Sequence, residues 1–180
     1  QKTFPIDGFD RFYSVAETAN KGYIIAGNKR GVWVINLDID GNIIWEKVYG
    51  GYGMDGSCVI QASDGGFVIG GDSFSAGLGT KAMVLKLKQN GDWDWKTELY
   101  LDDWYNKIND IRETSDGDYV FAGYSDEDIF IAKLSPTGGV RWKKGFGQVN
   151  YDERANSIIE TKDKGLLVVG YHTGRNSAVH

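Results

Sequence analysis

The chain has 180 residues and a formal net charge of −5, which excludes the clustered-cation grip that nucleic acid or an anionic membrane surface requires. Its length suits one domain, residues 1–180, with an adequate core, and no apolar run approaches the ~20 residues that span a bilayer. A composition with 25 Gly, 2 Pro, 6 Trp, 10 Tyr and 8 Phe reads as short strands joined by tight turns, an all-β chain.

In chain order, the first segment with strand character is Gln1-Lys2-Thr3-Phe4, which matches Glu46-Lys47-Val48-Tyr49 further on. The first full repeat (about 8–50) predicts a strand over 12–18, a turn at Asn20-Lys21-Gly22, and strands over 23–27, 32–37 and 43–49, the last two joined by the hairpin Asp38-Ile39-Asp40-Gly41. The same pattern returns at about 51–100, 101–147 and 148–180. Tyr23 to Gly27, Phe67 to Gly71, Tyr119 to Gly123 and Leu166 to Gly170 are one segment written four times, with the final glycines 44, 52 and 47 residues apart. In the first three copies a hairpin glycine (Gly41, Gly91, Gly138) is followed four residues later by Trp45, Trp95 or Trp142.

Four strands in roughly 45–50 residues is the size of a propeller blade. The fold expected is a β-propeller of four blades with four antiparallel strands each. The fourth copy stops at His180, in register with Leu37, so the N-terminal strand 1–5 is expected to complete the C-terminal blade and close the ring. A chain cut from a longer array, or two chains exchanging that strand in an eight-bladed dimer, are the alternatives to a closed monomer.

These residues resemble a family of bacterial and archaeal secreted or surface-anchored propeller repeats, S-I-x-x-T-x-D-G-G-Y-I-x-x-G…W-x-x-K-L-D-x-x-G-x-x-x-W. The match runs through Ser14-Val15, Thr18, Gly22-Tyr23-Ile24, Gly27, Trp33, Leu37-Asp38, Gly41 and Trp45, and again through Ser63-Asp64-Gly65-Gly66-Phe67 and Thr114-Ser115-Asp116-Gly117. The Gly-x-x-x-Trp hairpins are also similar to the tryptophan-docking motif of quinoprotein-type propellers, which implies indole packing between blades; no cofactor site follows from it, and none is expected. The first resemblance implies an extracellular or cell-surface setting and names no activity.

General propeller geometry places ligands on the face carrying the loops from the fourth strand of one blade to the next blade, and from the second strand to the third. Those loops hold Tyr52, Asp72, Phe74, Trp104, Tyr105, Tyr124, Tyr151, Tyr171 and His172. Aromatic rings among Asp, Asn and Gly suit a glycan or a peptide, since flat rings cover apolar faces while polar neighbours fix orientation. Packing between blades is the structural role that competes for each ring. The second copy carries a longer connection, Asp72 to Thr80, read as a loop. The equivalent positions Glu17, Gln61, Glu113 and Glu160 could ring the axis and hold a hard cation, or could point between blades. Cys58 is expected to be a buried small hydrophobe. Two histidines and no Cys/His cluster give catalysis little support, although loop carboxylates leave a glycoside hydrolase open. The function expected is therefore a non-enzymatic extracytoplasmic recognition module binding a glycan or peptide, with an assembly domain as the alternative.

Overall fold

The computed structural model describes residues 3, 8, 10–99, 104–126, 128–148 and 151–174. Sheet I contains β1 (Arg11–Glu17), β2 (Tyr23–Asn28), β3 (Val32–Leu37) and β4 (Ile43–Tyr49). Sheet II contains β5 (Met54–Gln61), β6 (Phe67–Ser75), β7 (Gly79–Leu87) and β8 (Trp93–Leu99). Sheet III contains β9 (Asn106–Glu113), β10 (Tyr119–Ser125), β11 (Asp128–Leu134) and β12 (Val140–Phe146). Sheet IV has two strands among the described residues, β13 (Tyr151–Glu160) and β14 (Leu166–Gly174). Each sheet is an antiparallel meander in sequence order. The N-terminal strand expected at 1–5 and the last residues of the fourth repeat lie outside the described residues.

The repeated glycines are explained by one local constraint. Each of Gly27, Gly71, Gly123 and Gly170 stands beside a β-bulge in the first strand of its sheet. A Cβ at these positions would lie 1.9, 1.8, 1.8 and 1.9 Å from the carbonyl oxygens of Arg11, Asp55, Lys107 and Arg154. The bulge brings two backbones too close for any side chain.

Consecutive sheets pack face to face through alternate residues of their strands. Ile24, Ala26, Val32 and Val34 of sheet I meet Val59, Phe67, Ile69, Met83 and Leu85 of sheet II. On its other face sheet II presents Val68, Ala82 and Val84 to Ile108, Tyr119, Phe121 and Phe130 of sheet III. Val120, Ala122 and Ile131 then meet Ala155 and Ile158 of sheet IV. Cys58 is buried in the second seam, where burial pushes its thiol up to about 12, so it packs as a hydrophobe.

The indoles carry each seam out to the rim. Trp45 Nε1 donates to Gln89 O at 3.2 Å and its ring lies over Gly91. Trp95 Nε1 donates to Pro136 O at 3.0 Å and covers Gly138. A Cβ on Gly138 would sit 2.7 Å from the Trp95 ring, so the hairpin glycine and the tryptophan of the preceding sheet form one device. Trp142 is half-buried against Leu166 and Val168.

The first strands β1, β5, β9 and β13 lie side by side and line a channel of about 420 Å³. Among the described residues, the seam found between neighbours is not repeated between sheets IV and I. Val15 on β1 is 64% exposed and Val169 on β14 is 55% exposed, and Tyr13, Leu167 and Tyr171 are also in contact with solvent. The outer half of sheet I is different: Trp33, Ile35 and Leu37 are buried on the face turned away from sheet II, with Phe12 stacked on Trp33 at 4.2 Å.

Two tests follow from these contacts. Trp95→Ala should cost about 3 kcal/mol, the low end for a truncated Trp because the ring is half-buried. Trp142→Ala should cost at least about 1 kcal/mol less, since its indole has no docking hydrogen bond among the described residues, and equal losses in urea unfolding would contradict the docking account. The second test concerns Lys86, whose buried ammonium bonds both oxygens of Asp64 at 2.9 and 2.7 Å. Partial burial raises the Asp64 carboxyl, but the lysine hydrogen bonds outweigh it and the folded value lies below normal. The stabilisation is then complete above the unfolded value of about 3.9 and is lost as pH falls through the folded value. Asp64→Asn should lower the urea midpoint at pH 7 and flatten its decline below pH 4, and a parallel decline in both proteins would be the contrary result.

Candidate functional site

The extra residues of the second copy do not form a loop. β6 and β7 continue past their counterparts as a β-hairpin, pairing from Asp72↔Ala82 out to Ser75↔Gly79. The expected loop Asp72 to Thr80 is thereby corrected to strand, turn, strand, because the added segment can satisfy its own backbone groups. Both flanks are tied down. Phe74 N–H donates to Gly53 O at 2.6 Å, and Thr80 N–H donates to Trp104 O at 2.8 Å.

This hairpin links the loops on either side of it and brings three exposed aromatic residues onto neighbouring segments. Tyr52, next to Gly53, is 79% exposed. Phe74 on the hairpin is 52% exposed, and Trp104 beyond it is 59% exposed. Leu78 caps the hairpin turn and is also exposed. Trp104 and Tyr105 are held from behind by Asp126, whose two carboxylate oxygens accept their N–H groups at 3.0 and 3.1 Å. Asp126 itself has φ of 44°, a conformation Asp tolerates better than most residues.

The other candidates divide into a second group. Tyr105 stacks on Tyr124 with centroids 5.7 Å apart, and the buried Tyr124 takes the Arg154 guanidinium over its ring at 4.1 Å. Burial pushes the Tyr124 phenol up to about 12. Asp72 is buried, which raises its carboxyl; the ammonium of Lys107, 3.1 Å away, opposes that shift. The ion pair holds sheet II to sheet III, so Asp72 serves the seam and is not displayed to a ligand. Tyr151 and His172 face one another at 5.4 Å on the first and second strands of sheet IV. Tyr171 is exposed on the uncovered face of sheet IV.

A cleft of about 810 Å³ opens beside Tyr52, lined by Gly8, Asp10, Asn28, Lys29, Arg30, Tyr52 and Gly53. Arg30 lies 5.9 Å from the Tyr52 ring centroid, and Lys29 is 4.4 Å from that of Trp33. Among the described lining residues Asp10 is the one carboxylate. Phe74 and Trp104 stand outside the lining.

The carboxamide and carboxylates considered for a cation are used between sheets. Gln61 Oε1 accepts from Ala19 N–H at 2.7 Å, Glu113 from Ser63 N–H at 2.7 Å, and Glu160 from Ser115 N–H at 2.9 Å. Each reaches back to the turn of the preceding sheet, so the side chains of Gln61, Glu113 and Glu160 lie between blades. In the channel, Asp110 accepts from Ile111 N–H, Arg112, Ser157 and Ile158 N–H at 2.9, 2.8, 2.6 and 3.0 Å. A carboxylate with four donors has little capacity left for a ligand.

Sequence reasoning missed Lys29, Arg30, Lys107, Arg154 and Asp126. The signal available for Lys107 and Arg154 was their shared place six residues before Glu113 and Glu160, but their partners differ from seam to seam.

No protein-family model and no curated protein matches the chain. Solved structures do match in fold. A protein of unknown function from Bacteroides caccae aligns over 97% of this chain and 60% of its own, with TM-score 0.64 and 14% identity. Virginiamycin B lyase from Staphylococcus aureus, solved with quinupristin, aligns over 89% of this chain and 49% of its own, with TM-score 0.61 and 17% identity. The WD40 repeats of RRP9 align over 91% and 52%, with TM-score 0.62 and 9% identity. The chain thus spans about half the length of these structures, and the likeness establishes an all-β fold of the propeller type.

Proposed function

We propose that this chain is a non-enzymatic recognition module that takes a peptide segment of a partner protein on Tyr52, Phe74 and Trp104, with the cleft beside Tyr52 receiving an acidic or hydrogen-bonding side chain. The observation that carries the reading is the exposure of three large aromatic residues, Phe74 on the hairpin and Tyr52 and Trp104 on the two segments bonded to its flanks. A rigid aromatic surface loses little conformational entropy on binding. Lys29 and Arg30 at the cleft add cationic donors for a carboxylate. Binding of protein partners by propeller-type structures is in keeping with this, since one similar structure is BBS1N in complex with ARL6DN, with TM-score 0.55.

A glycan is the second reading, favoured by the exposed flat face of Trp104 beside Asp126. The family resemblance of the repeats supports an extracellular or cell-surface setting, and the match of residues 1–4 to Glu46-Lys47-Val48-Tyr49 supports completion of the fourth blade by residues 1–5. Screening the chain on peptide and glycan arrays should yield a peptide ligand whose affinity falls at least about tenfold in Trp104→Ala, Tyr52→Ala and Arg30→Ala, with far-UV circular dichroism unchanged. A glycan ligand with the same dependence selects the second reading. A ligand indifferent to all three substitutions, or no ligand on either array, overturns the assignment.

A further inference from the structure

Each β-bulge leaves one residue of a first strand outside the ladder. These are Tyr13, Ser57, Asn109 and Asn156, skipped between Phe12 and Ser14, Gly56 and Cys58, Ile108 and Asp110, and Ala155 and Ser157. A bulge re-aims the side chain it carries, and all four line the channel of about 420 Å³ between the first strands. Each stands fourteen residues before the bulge glycine of its repeat. A tyrosine, a serine and two asparagines hold these places, so every one has a hydrogen-bonding group and none is charged. A position that only met solvent would take Lys or Glu as readily.

The channel is polar at the bulges, apolar beside them and balanced in charge. Val15, Ala16 and Ile60 flank the bulge residues in its lining. Among the lining residues Arg112 is the one cation and Asp110 the one carboxylate, and the two are paired at 2.8 Å. At the loop end, Lys107 of sheet III comes within 5.9 Å of the Tyr13 ring centroid of sheet I, with its charge held by Asp72. Asn109 donates one amide hydrogen to Ala155 O at 2.8 Å and keeps further donor and acceptor capacity. Ser57 Oγ is buried and has no hydrogen-bond partner among the described residues. Burying a hydroxyl unpaired is costly, so this group marks a place that a bound molecule completes.

We propose that the channel is a binding site for a small uncharged polyhydroxy molecule of monosaccharide size. Hydroxyl groups both donate and accept, which matches Ser57, Asn109 and Asn156. The C–H faces of a sugar ring suit Val15, Ile60 and the ring of Tyr13. A charged ligand would give up its hydration and meet no unpaired counter-ion, because Arg112 and Lys107 are already held by carboxylates. The volume of about 420 Å³ lies within the range of small-molecule sites, about 300–1,000 Å³. This site is separate from Tyr52, Phe74 and Trp104, so it holds whether or not a peptide binds there.

Ligand-observed NMR titration of the 180-residue chain with D-glucose, D-galactose and myo-inositol should find at least one dissociation constant at or below about 1 mM. Ser57→Ala and Asn156→Leu should each weaken that binding about fivefold or more. The urea midpoint of unbound Ser57→Ala should stay at or above that of the wild type, because the hydroxyl bonds none of the described residues. D-glucuronate and D-glucosamine, the charged controls, should bind more weakly than the neutral probe. No binding by any of the three neutral probes, or undiminished binding in either variant, overturns the proposal. Tighter binding of a charged control overturns the uncharged class, and a lowered midpoint in Ser57→Ala gives its hydroxyl a structural role and overturns its assignment to the ligand. A sugar lost in Trp104→Ala and retained in Ser57→Ala would lie on the exposed aromatic residues, which also overturns the channel site.

Discussion

A sheet that is apolar on both sides is stable only with a neighbour on each side, and the rest of this structure depends on that requirement. β3, β7 and β10 are almost continuously buried, as expected of strands covered on both faces. No single sheet of seven-residue strands could hold such strands in water, so each repeat needs the next one to fold. The same requirement explains why the bulge glycines and docking tryptophans recur. Both let one sheet approach another closely, the glycine by removing a Cβ at the bulge and the indole by filling the wider outer gap.

Most of this architecture was legible in the sequence because its causes are local and repeated. The bulge needs glycine in every copy, so Gly27, Gly71, Gly123 and Gly170 mark it without alignment to anything else. The indole needs a flat hairpin beneath it, and the hairpin glycine of the following sheet supplies it, Gly91 under Trp45 and Gly138 under Trp95. The readings that changed were those whose causes lie across repeats. Glu113 can face the axis or the next blade when its own strand is read alone, and the position of Ser63 on the neighbouring sheet shows that it bonds the turn. The added residues at Ser73 to Gly79 carry Ser, Gly and Ala in loop-like proportion. Whether they form a hairpin depends on the backbone groups of Gly53 and Trp104, which are distant in sequence.

The candidate site shows the same division. Tyr52, Phe74 and Trp104 were readable as loop aromatics, and their placement on neighbouring segments depends on the hairpin that ties the three together. Tyr105 and Tyr124, equal to them in type, are taken up by stacking, and Asp72 by an ion pair. Composition cannot separate a displayed ring from a packed one, since both are chosen for large area and few rotatable bonds. Separation comes from what sits behind each ring: Asp126 supports the backbone of Trp104 and leaves its side chain outside, whereas Arg154 covers the face of Tyr124.

The polar pairs between neighbouring sheets, Asn28 with Asp55, Asp72 with Lys107 and Tyr124 with Arg154, also bear on how four similar sheets stay in order. If every seam used the same residues, any sheet could stack on any other with equal favour, a known hazard of repeat chains. Here the apolar parts of the seams are alike, but the polar contacts at the channel mouth are an amide with a carboxylate, a carboxylate with an ammonium, and a phenol ring with a guanidinium. Misplacing sheet III on sheet I would set Lys107 against Asn28 and leave Asp72 buried without its cation, which costs far more than a mismatch between aliphatic residues. Sequence variation at these positions, which obscures the repeat, is thus what makes the order of the sheets unique.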